Sequence, residues 1–109
     1  MTADKLIEVL NGRLLTDVGA GDKEVTGCYV CDLLSLAMSK VQAGDAWITV
    51  QTNINIAAVA VLTDAACVVV AEGMSVDDSV IAKANKEEVT ILQTPLSAFD
   101  AAMAIGKLL

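Results

Sequence analysis

The stretch AWITVQTN-INIAAVAVLTDAA-CVVVAEG, residues 46–73, decides the fold of this chain. Its first part predicts a strand at Trp47–Val50, and the polar residues that follow lead into a helix that begins at Asn53 or Asn55. The unbroken apolar run Cys67–Ala71 predicts a second strand that is buried on both faces. A strand–helix–strand unit of this kind indicates two parallel strands joined by a crossover.

Shorter segments extend this unit in both directions. Further strands are predicted at Arg13–Val18, Val25–Cys31 and Val89–Leu92. Further helices are predicted from Thr2 to Gly12, over Leu33–Val41, from Ser75 to Lys86, and after Thr94-Pro95, with Thr94 as the cap. The alternation predicts one domain, residues 1–109, with a three-layer α/β fold. Its mostly parallel sheet has about five strands flanked by helices.

The composition is unusually apolar and acidic. Hydrophobic residues make up 55% of the chain, and the central helix is apolar on too many sides for a half-exposed helix. That helix is therefore either enclosed in the core or part of an interface, and we expect a homodimer. The net charge of −7 disfavours nucleic acid and anionic membrane surfaces as partners.

Several kinds of chemistry lack their residues in this sequence. The chain has no histidine, the commonest general base and metal ligand, and no phosphate-binding loop of the GxxxxGK[ST] type. We therefore expect no catalytic residues, no cofactor and no metal. An amphipathic, charged N-terminus, no transmembrane-length apolar run and an odd number of cysteines predict a cytoplasmic protein.

Polar side chains gather where the predicted strands end. In open parallel sheets ligands bind beyond the carboxyl ends of the strands, and helix N-termini there favour anions. The candidates for ligand or interface contacts are Asp32, Gln51, Thr52, Asn53, Gly73, Thr94 and Ser97. Helix capping alone accounts for single residues of this kind. The cluster of Gln51, Thr52 and Asn53 exceeds what one cap requires and indicates a ligand or an interface.

Cys28 and Cys31 form a C-x-x-C pair, a spacing that often indicates metal or redox chemistry. Here the pair lies in a predicted strand, where residues three apart point to opposite faces. We therefore expect the sulfurs to diverge and the cysteines to be structural. A site that added Cys67 would hold three cysteines without histidine, an unusual zinc site.

Three stretches together resemble the DRTGG domain family: VTGCYVCDLLS at 25–35, GDAWITVQTNINIAAVAVL at 44–62 and LQTPLSAFDAA at 92–102. The resemblance covers nearly the whole chain. Asp22 matches the family aspartate, and Lys23 stands where arginine is usual. Ala71-Glu72-Gly73 stands where Thr-Gly-Gly is usual, so Gly73 alone is kept and Glu72 adds a side chain and a negative charge.

The resemblance implies an α/β domain similar to the N-terminal domain of HPr kinase/phosphorylase. Such domains occur beside CBS domains and as short proteins, some of them encoded near iron-only hydrogenase genes. It implies a regulatory domain of unassigned biochemical role, with a hydrogenase-related or metabolic enzyme as a possible partner. Kinase activity is not expected, because the phosphate-binding loop is missing.

Three functional hypotheses remain open from the sequence. The first is a non-catalytic regulatory or interaction module that forms a homodimer. The second is a sensor of a nucleotide or another anionic metabolite, bound at the carboxyl ends of the strands. The third is a redox or metal protein that uses Cys28 and Cys31.

Overall fold

The computed structural model describes residues 1–17 and 23–109. In this part of the chain the strands are β1 (Arg13–Leu14), β2 (Gly27–Val30), β3 (Asp45–Thr49), β4 (Cys67–Val70) and β5 (Ile91–Gln93). The helices are α1 (Ala3–Val9), α2 (Leu34–Lys40), α3 (Ile56–Thr63), α4 (Asp78–Lys86) and α5 (Ala98–Gly106). The strands form one sheet in the order β1-β5-β4-β3-β2.

The sheet is mostly parallel, as the sequence predicts. Strands β2, β3, β4 and β5 pair in parallel, and only the edge strand β1 runs antiparallel, with Arg13 opposite Gln93. The strand predicted at Arg13–Val18 is thus shorter than expected within the described residues, which do not include Val18. Its two residues lie beside the end of β5.

One face of the sheet packs against α1 and α5. Alternate strand residues such as Ile48, Val69 and Leu92 meet Leu6 of α1 and Ile105 of α5, and all five are almost completely buried. This packing explains the periodic apolar positions of the two helices, because only one side of each helix reaches the sheet.

The opposite face packs against α2, α3 and α4. Trp47 lies fully buried there with Val68 and Ile91, and its indole Nε1 donates a hydrogen bond to the Cys31 carbonyl over 2.9 Å. Trp47 is a packing residue that satisfies its one polar group, so it offers no exposed ring for stacking. The fold has three layers, and the predicted architecture is confirmed.

Helix α3 is buried on one side only. Ile56 and Val59 face the core, whereas Val61 and Leu62 expose 49% and 69% of their surface. Of the two alternatives for this helix, enclosure in the core does not hold for the described residues. Its apolar outer side is left uncovered.

The predicted starts of two helices are wrong. The capping residue of α5 is Ser97, whose Oγ accepts from the Asp100 backbone N–H over 3.0 Å, and not Thr94. Helix α4, predicted from Ser75, begins at Asp78 and is preceded by Asp77 in an extended conformation without a side-chain cap. Among the described residues no helix has the length and hydrophobicity to span a bilayer.

Candidate functional site

The predicted candidates follow the carboxyl ends of four strands, a region called the carboxyl edge below. Asp32 follows β2, Thr52 and its neighbours follow β3, Gly73 follows β4, and Thr94 follows β5. The opposite side of the sheet, where β2 to β5 begin, is called the amino edge. Because the strands are parallel, the chain brings all these candidates to one edge.

Asp32 joins the ends of β2 and β3. Its Oδ1 accepts from the Thr49 hydroxyl over 3.0 Å and from the Val50 backbone N–H over 2.8 Å. The Gln51 side-chain amide donates to the Asp32 carbonyl over 3.0 Å. Asp32 and Gln51 therefore hold two loops together, and these contacts compete with any ligand for the same atoms.

Thr52 and Asn53 use fewer of their side-chain polar groups in hydrogen bonds to the described part of the protein. Asn53 Oδ1 accepts from the Asn55 backbone N–H over 2.8 Å and so shapes the turn before α3. Within residues 1–17 and 23–109, neither the Asn53 amide nitrogen nor the half-buried Thr52 hydroxyl makes a hydrogen bond. These two groups are the polar atoms of the predicted cluster that remain available to a ligand.

Glu72 and Gly73 form a tight turn with φ angles of 61° and 64°. Both lie in the left-handed region, where glycine is favoured and a residue with a Cβ is strained. The Glu72 N–H donates to the Leu96 carbonyl over 2.8 Å, and the Gly73 N–H donates to the Thr94 carbonyl over 2.9 Å. The turn therefore directs its N–H groups at the chain itself, and they are not free to bind an anion.

Thr94 and Ser97 have structural roles. Thr94 is fully buried, its hydroxyl donates to the Leu10 carbonyl over 2.6 Å, and it accepts from the Leu96 N–H over 3.2 Å. Thr94 thus ties the end of α1 to the end of β5. Ser97 caps α5. Neither hydroxyl points to a role in binding a ligand.

Arg13 lies at the carboxyl edge and was missed by the sequence reasoning. It pairs with Gln93 at the end of β5 because β1 runs antiparallel. Its side chain is exposed and makes no ion pair with another described residue. The sequence of a two-residue edge strand is too short to show whether the strand runs parallel or antiparallel to its neighbour. No sequence signal therefore placed the Arg13 side chain at this edge.

The family positions divide between the two edges of the sheet. Lys23 pairs with Asp64 over 2.9 Å at the amino edge, beside a cavity of about 210 Å³. Gly73 lies at the carboxyl edge, and Asp22 lies outside the described residues. Lys23 and Gly73 therefore do not belong to one site.

The cysteines are separated, as predicted for Cys28 and Cys31. Cys28 packs on the α1/α5 face and Cys31 on the opposite face. Cys67 shares the face of Cys28 but is two strands away, across Ala46. Burial, with a smaller effect of Asp45, raises the pKa of Cys28 to about 11. Burial, with a smaller effect of Cys28, raises the pKa of Cys67 to about 12.

These features define a three-layer α/β domain whose carboxyl edge is tied together by its own polar residues. The model of the DRTGG domain matches residues 5–108. The chain belongs to the DRTGG domain family.

A solved structure shares the fold. It contains the CBS and DRTGG domains of the regulatory region of Clostridium perfringens pyrophosphatase, complexed with the activator diadenosine tetraphosphate. The TM-score is 0.71 at 19% identity, and the match covers 94% of the present chain and 44% of that chain. The present chain thus spans less than half of that regulatory region. No curated protein matches the chain.

Proposed function

We propose that this chain is a non-catalytic regulatory module that acts as a homodimer. One observation carries the proposal: large apolar side chains are exposed on the outer helix faces of both layers. Leu62 on α3 is 69% exposed and Phe99 on α5 is 71% exposed. Leu62 and Phe99 lie in opposite layers and belong to two separate surfaces, and an exposed apolar surface on a small domain marks an interaction site.

The polar residues of the carboxyl edge support a non-catalytic role. Asp32 and Thr94, which the sequence predicts as site residues, form hydrogen bonds with other groups of the chain. A general acid or base must reach the proton that it transfers with a polar group that the protein does not already engage. The regulatory role follows the setting of the similar domain, which lies in the regulatory region of an enzyme. A hydrogenase-related or metabolic enzyme is the partner class that we propose.

Sedimentation equilibrium of the purified protein tests the homodimer. We expect the average mass to rise toward twice 11.3 kDa as the concentration increases. A mass that stays at the monomer value throughout would contradict the proposal. Transfer of radiolabelled phosphate from ATP to HPr by the pure protein would contradict the non-catalytic part.

A second candidate function is a sensor of nucleotides or other anionic metabolites at the carboxyl edge. Three groups that have no partner among residues 1–17 and 23–109 support it: the Thr52 hydroxyl, the Asn53 amide nitrogen and the Arg13 guanidinium. Diadenosine tetraphosphate is the first compound to test, because the similar pyrophosphatase region binds it as activator. At about one hundred times its dissociation constant, a ligand adds about 2.7 kcal/mol of stability.

Thermal unfolding with and without the compound tests the sensor. We expect a saturable rise of several degrees that the Thr52→Ala/Asn53→Ala variant abolishes. Arg13→Ala should weaken binding, whereas Lys86→Ala, which removes one charge at the end of α4, should not. Equal weakening by both lysine and arginine variants would indicate unspecific charge attraction and count against this site.

The third hypothesis, a redox or metal protein, has the least support. Cys28 and Cys31 lie on opposite faces of the sheet, and the raised pKa of Cys28 disfavours the thiolate that both chemistries need. Iron or zinc in stoichiometric amounts in protein purified without oxygen would revive it.

A further inference from the structure

We propose that two copies of this chain associate through α5, with the two helices antiparallel about a two-fold axis near Met103. The inference rests on the proposed homodimer and names its surface. Among the apolar faces exposed by the helices, that of α5 has a shape and a charge pattern that match a second copy of itself.

The outer side of α5 carries an apolar ridge and a notch. Its inner side is fully buried through Ala101 and Ile105. On the outer side, Phe99 is 71% exposed and Met103 is 48% exposed. A Cβ added to Gly106 would have no heavy atom within 4 Å. A groove of about 290 Å³ lies along this side.

The ridge and the notch are complementary under a two-fold rotation. Phe99 and Gly106 are seven residues apart, about two helical turns, so they share one side of the helix. When a second α5 packs antiparallel, Phe99 of each copy comes to lie against Gly106 of the other. A side chain at position 106 would occupy the space that the phenyl ring needs.

The charges match in the same arrangement. Asp100 and Lys107 are also seven residues apart and lie on one flank of the outer side. Antiparallel packing about a two-fold axis places Asp100 of each copy beside Lys107 of the other, whereas parallel packing would place the two charged flanks on opposite sides of the contact, where no such pair forms. Neither residue forms an ion pair with any residue in 1–17 or 23–109. Both are therefore available.

Charge also distinguishes α5 from α3. Each copy carries a net charge of −7, so two copies repel each other, and opposite charges that meet at the contact offset part of this repulsion. The outer face of α3 has no charged residue within Ile56–Thr63. It offers nothing that orients a second copy or offsets this repulsion.

A stable dimer buries about 800 Å² per copy, roughly one seventh of the 5391 Å² surface of this chain. The short helix α5 cannot supply all of it. The neighbouring edge strand β2 adds Val30, which is 46% exposed, and α1 borders α5 on its other side. The α5 contact is thus the centre of the interface, and these elements form its rim.

Sedimentation equilibrium of variants, at protein concentrations of up to about 500 μM, tests this surface. Phe99→Asp removes the ridge and Gly106→Leu fills the notch; we expect each to weaken the dimer at least tenfold. Leu62→Asp, the matched control on α3, should leave the dimer unchanged. Circular dichroism establishes that each variant is folded. A dimer that resists both α5 variants, or that Leu62→Asp dissociates, overturns the α5 surface and leaves the homodimer standing.

A charge exchange tests the antiparallel direction. Asp100→Lys and Lys107→Asp should each weaken the homodimer, because each creates like-charge pairs. A mixture of the two variants should form a heterodimer, since every pair is then opposite in sign. A mixture that stays monomeric overturns the antiparallel arrangement. Wild-type protein that is monomeric at all concentrations overturns both the homodimer and this surface.

Discussion

The carboxyl edge of the sheet and the outer faces of α3 and α5 differ in how their side chains are used within the chain. The polar groups of the edge are largely hydrogen-bonded to the chain, whereas the apolar side chains of the faces are left exposed. At the edge, Thr94, Asp32 and the Glu72–Gly73 turn bond to neighbouring loops. On the outer faces, Leu62 and Phe99 have most of their surface in water. The comparison teaches that polar residues at a strand end need not form a binding site. Substitutions at the edge should change stability, and substitutions on the faces should change association.

The largest effect is expected from Thr94→Val at the edge. The variant keeps the shape but leaves the Leu10 carbonyl and the Leu96 N–H without their partner, which costs about 2 kcal/mol of unfolding free energy. The matched control is Thr52→Val, because the Thr52 hydroxyl has no partner in the described residues; it should change stability by less than about 0.5 kcal/mol. Urea unfolding measures both. Equal losses would show that the edge is not tied together through Thr94.

The buried strand β4 gives a pH-dependent effect that is smaller, per pH unit, than the loss expected for Thr94→Val. Burial raises the pKa of the Cys67 thiol to about 12 from 9.0. Above pH 9 the unfolded chain releases this proton and the folded chain keeps it, so the stability contribution present below pH 9 is lost toward pH 12. The loss approaches about 1.4 kcal/mol per pH unit.

The variant Cys67→Ala isolates this loss. Its stability should be lower at pH 7, because a buried atom is removed, but it should fall less steeply than the wild type above pH 9. Urea unfolding at several pH values measures the two slopes. Parallel slopes would contradict a proton held by Cys67 in the folded core.

Glu72→Gly is expected to stabilise the protein by about 1 kcal/mol. Glutamate at a φ of 61° holds a left-handed conformation that glycine adopts without steric cost. Glu72→Ala is the control, since it removes the charge and keeps the strained backbone. If Glu72→Ala raises the free energy of unfolding as much as Glu72→Gly does, the removed side-chain charge is responsible for the gain and the backbone strain is not.

The smallest effect is expected on the outer face of α3. Leu62 is 69% exposed, so Leu62→Gln should change the unfolding free energy by less than about 0.5 kcal/mol and leave the dimer intact. A loss comparable to that of Thr94→Val would show that α3 is covered, and the comparison between edge and face would fail.

The sequence predicts the layers of this fold well. The run Cys67–Val70 is apolar throughout, and strands alternate with helices along the chain. Together these patterns predict a parallel sheet, because strands buried on both faces need helices on both sides. The divergence of Cys28 and Cys31 follows from strand geometry alone. Both predictions rest on periodicity, which a sequence displays directly.

The candidate site is less predictable, because the same residue types serve several roles. Thr94-Pro95 has the pattern of a helix start, but the chain continues for three residues and Ser97 becomes the cap. Arg13 reaches the carboxyl edge only through antiparallel pairing, and Lys23 lies at the opposite edge from Gly73. These placements depend on long-range pairing, which local patterns do not contain.

Hydrogen exchange at low and high protein concentration tests the central claim most directly, because it reports on the edge and the faces together. We predict that backbone amides of α5 exchange more slowly as concentration rises, while those of α3 and of Glu72 and Gly73 stay unchanged. Exchange in α5 that is independent of concentration while the protein dimerises, or slowing confined to α3 or to the carboxyl edge, would contradict the account.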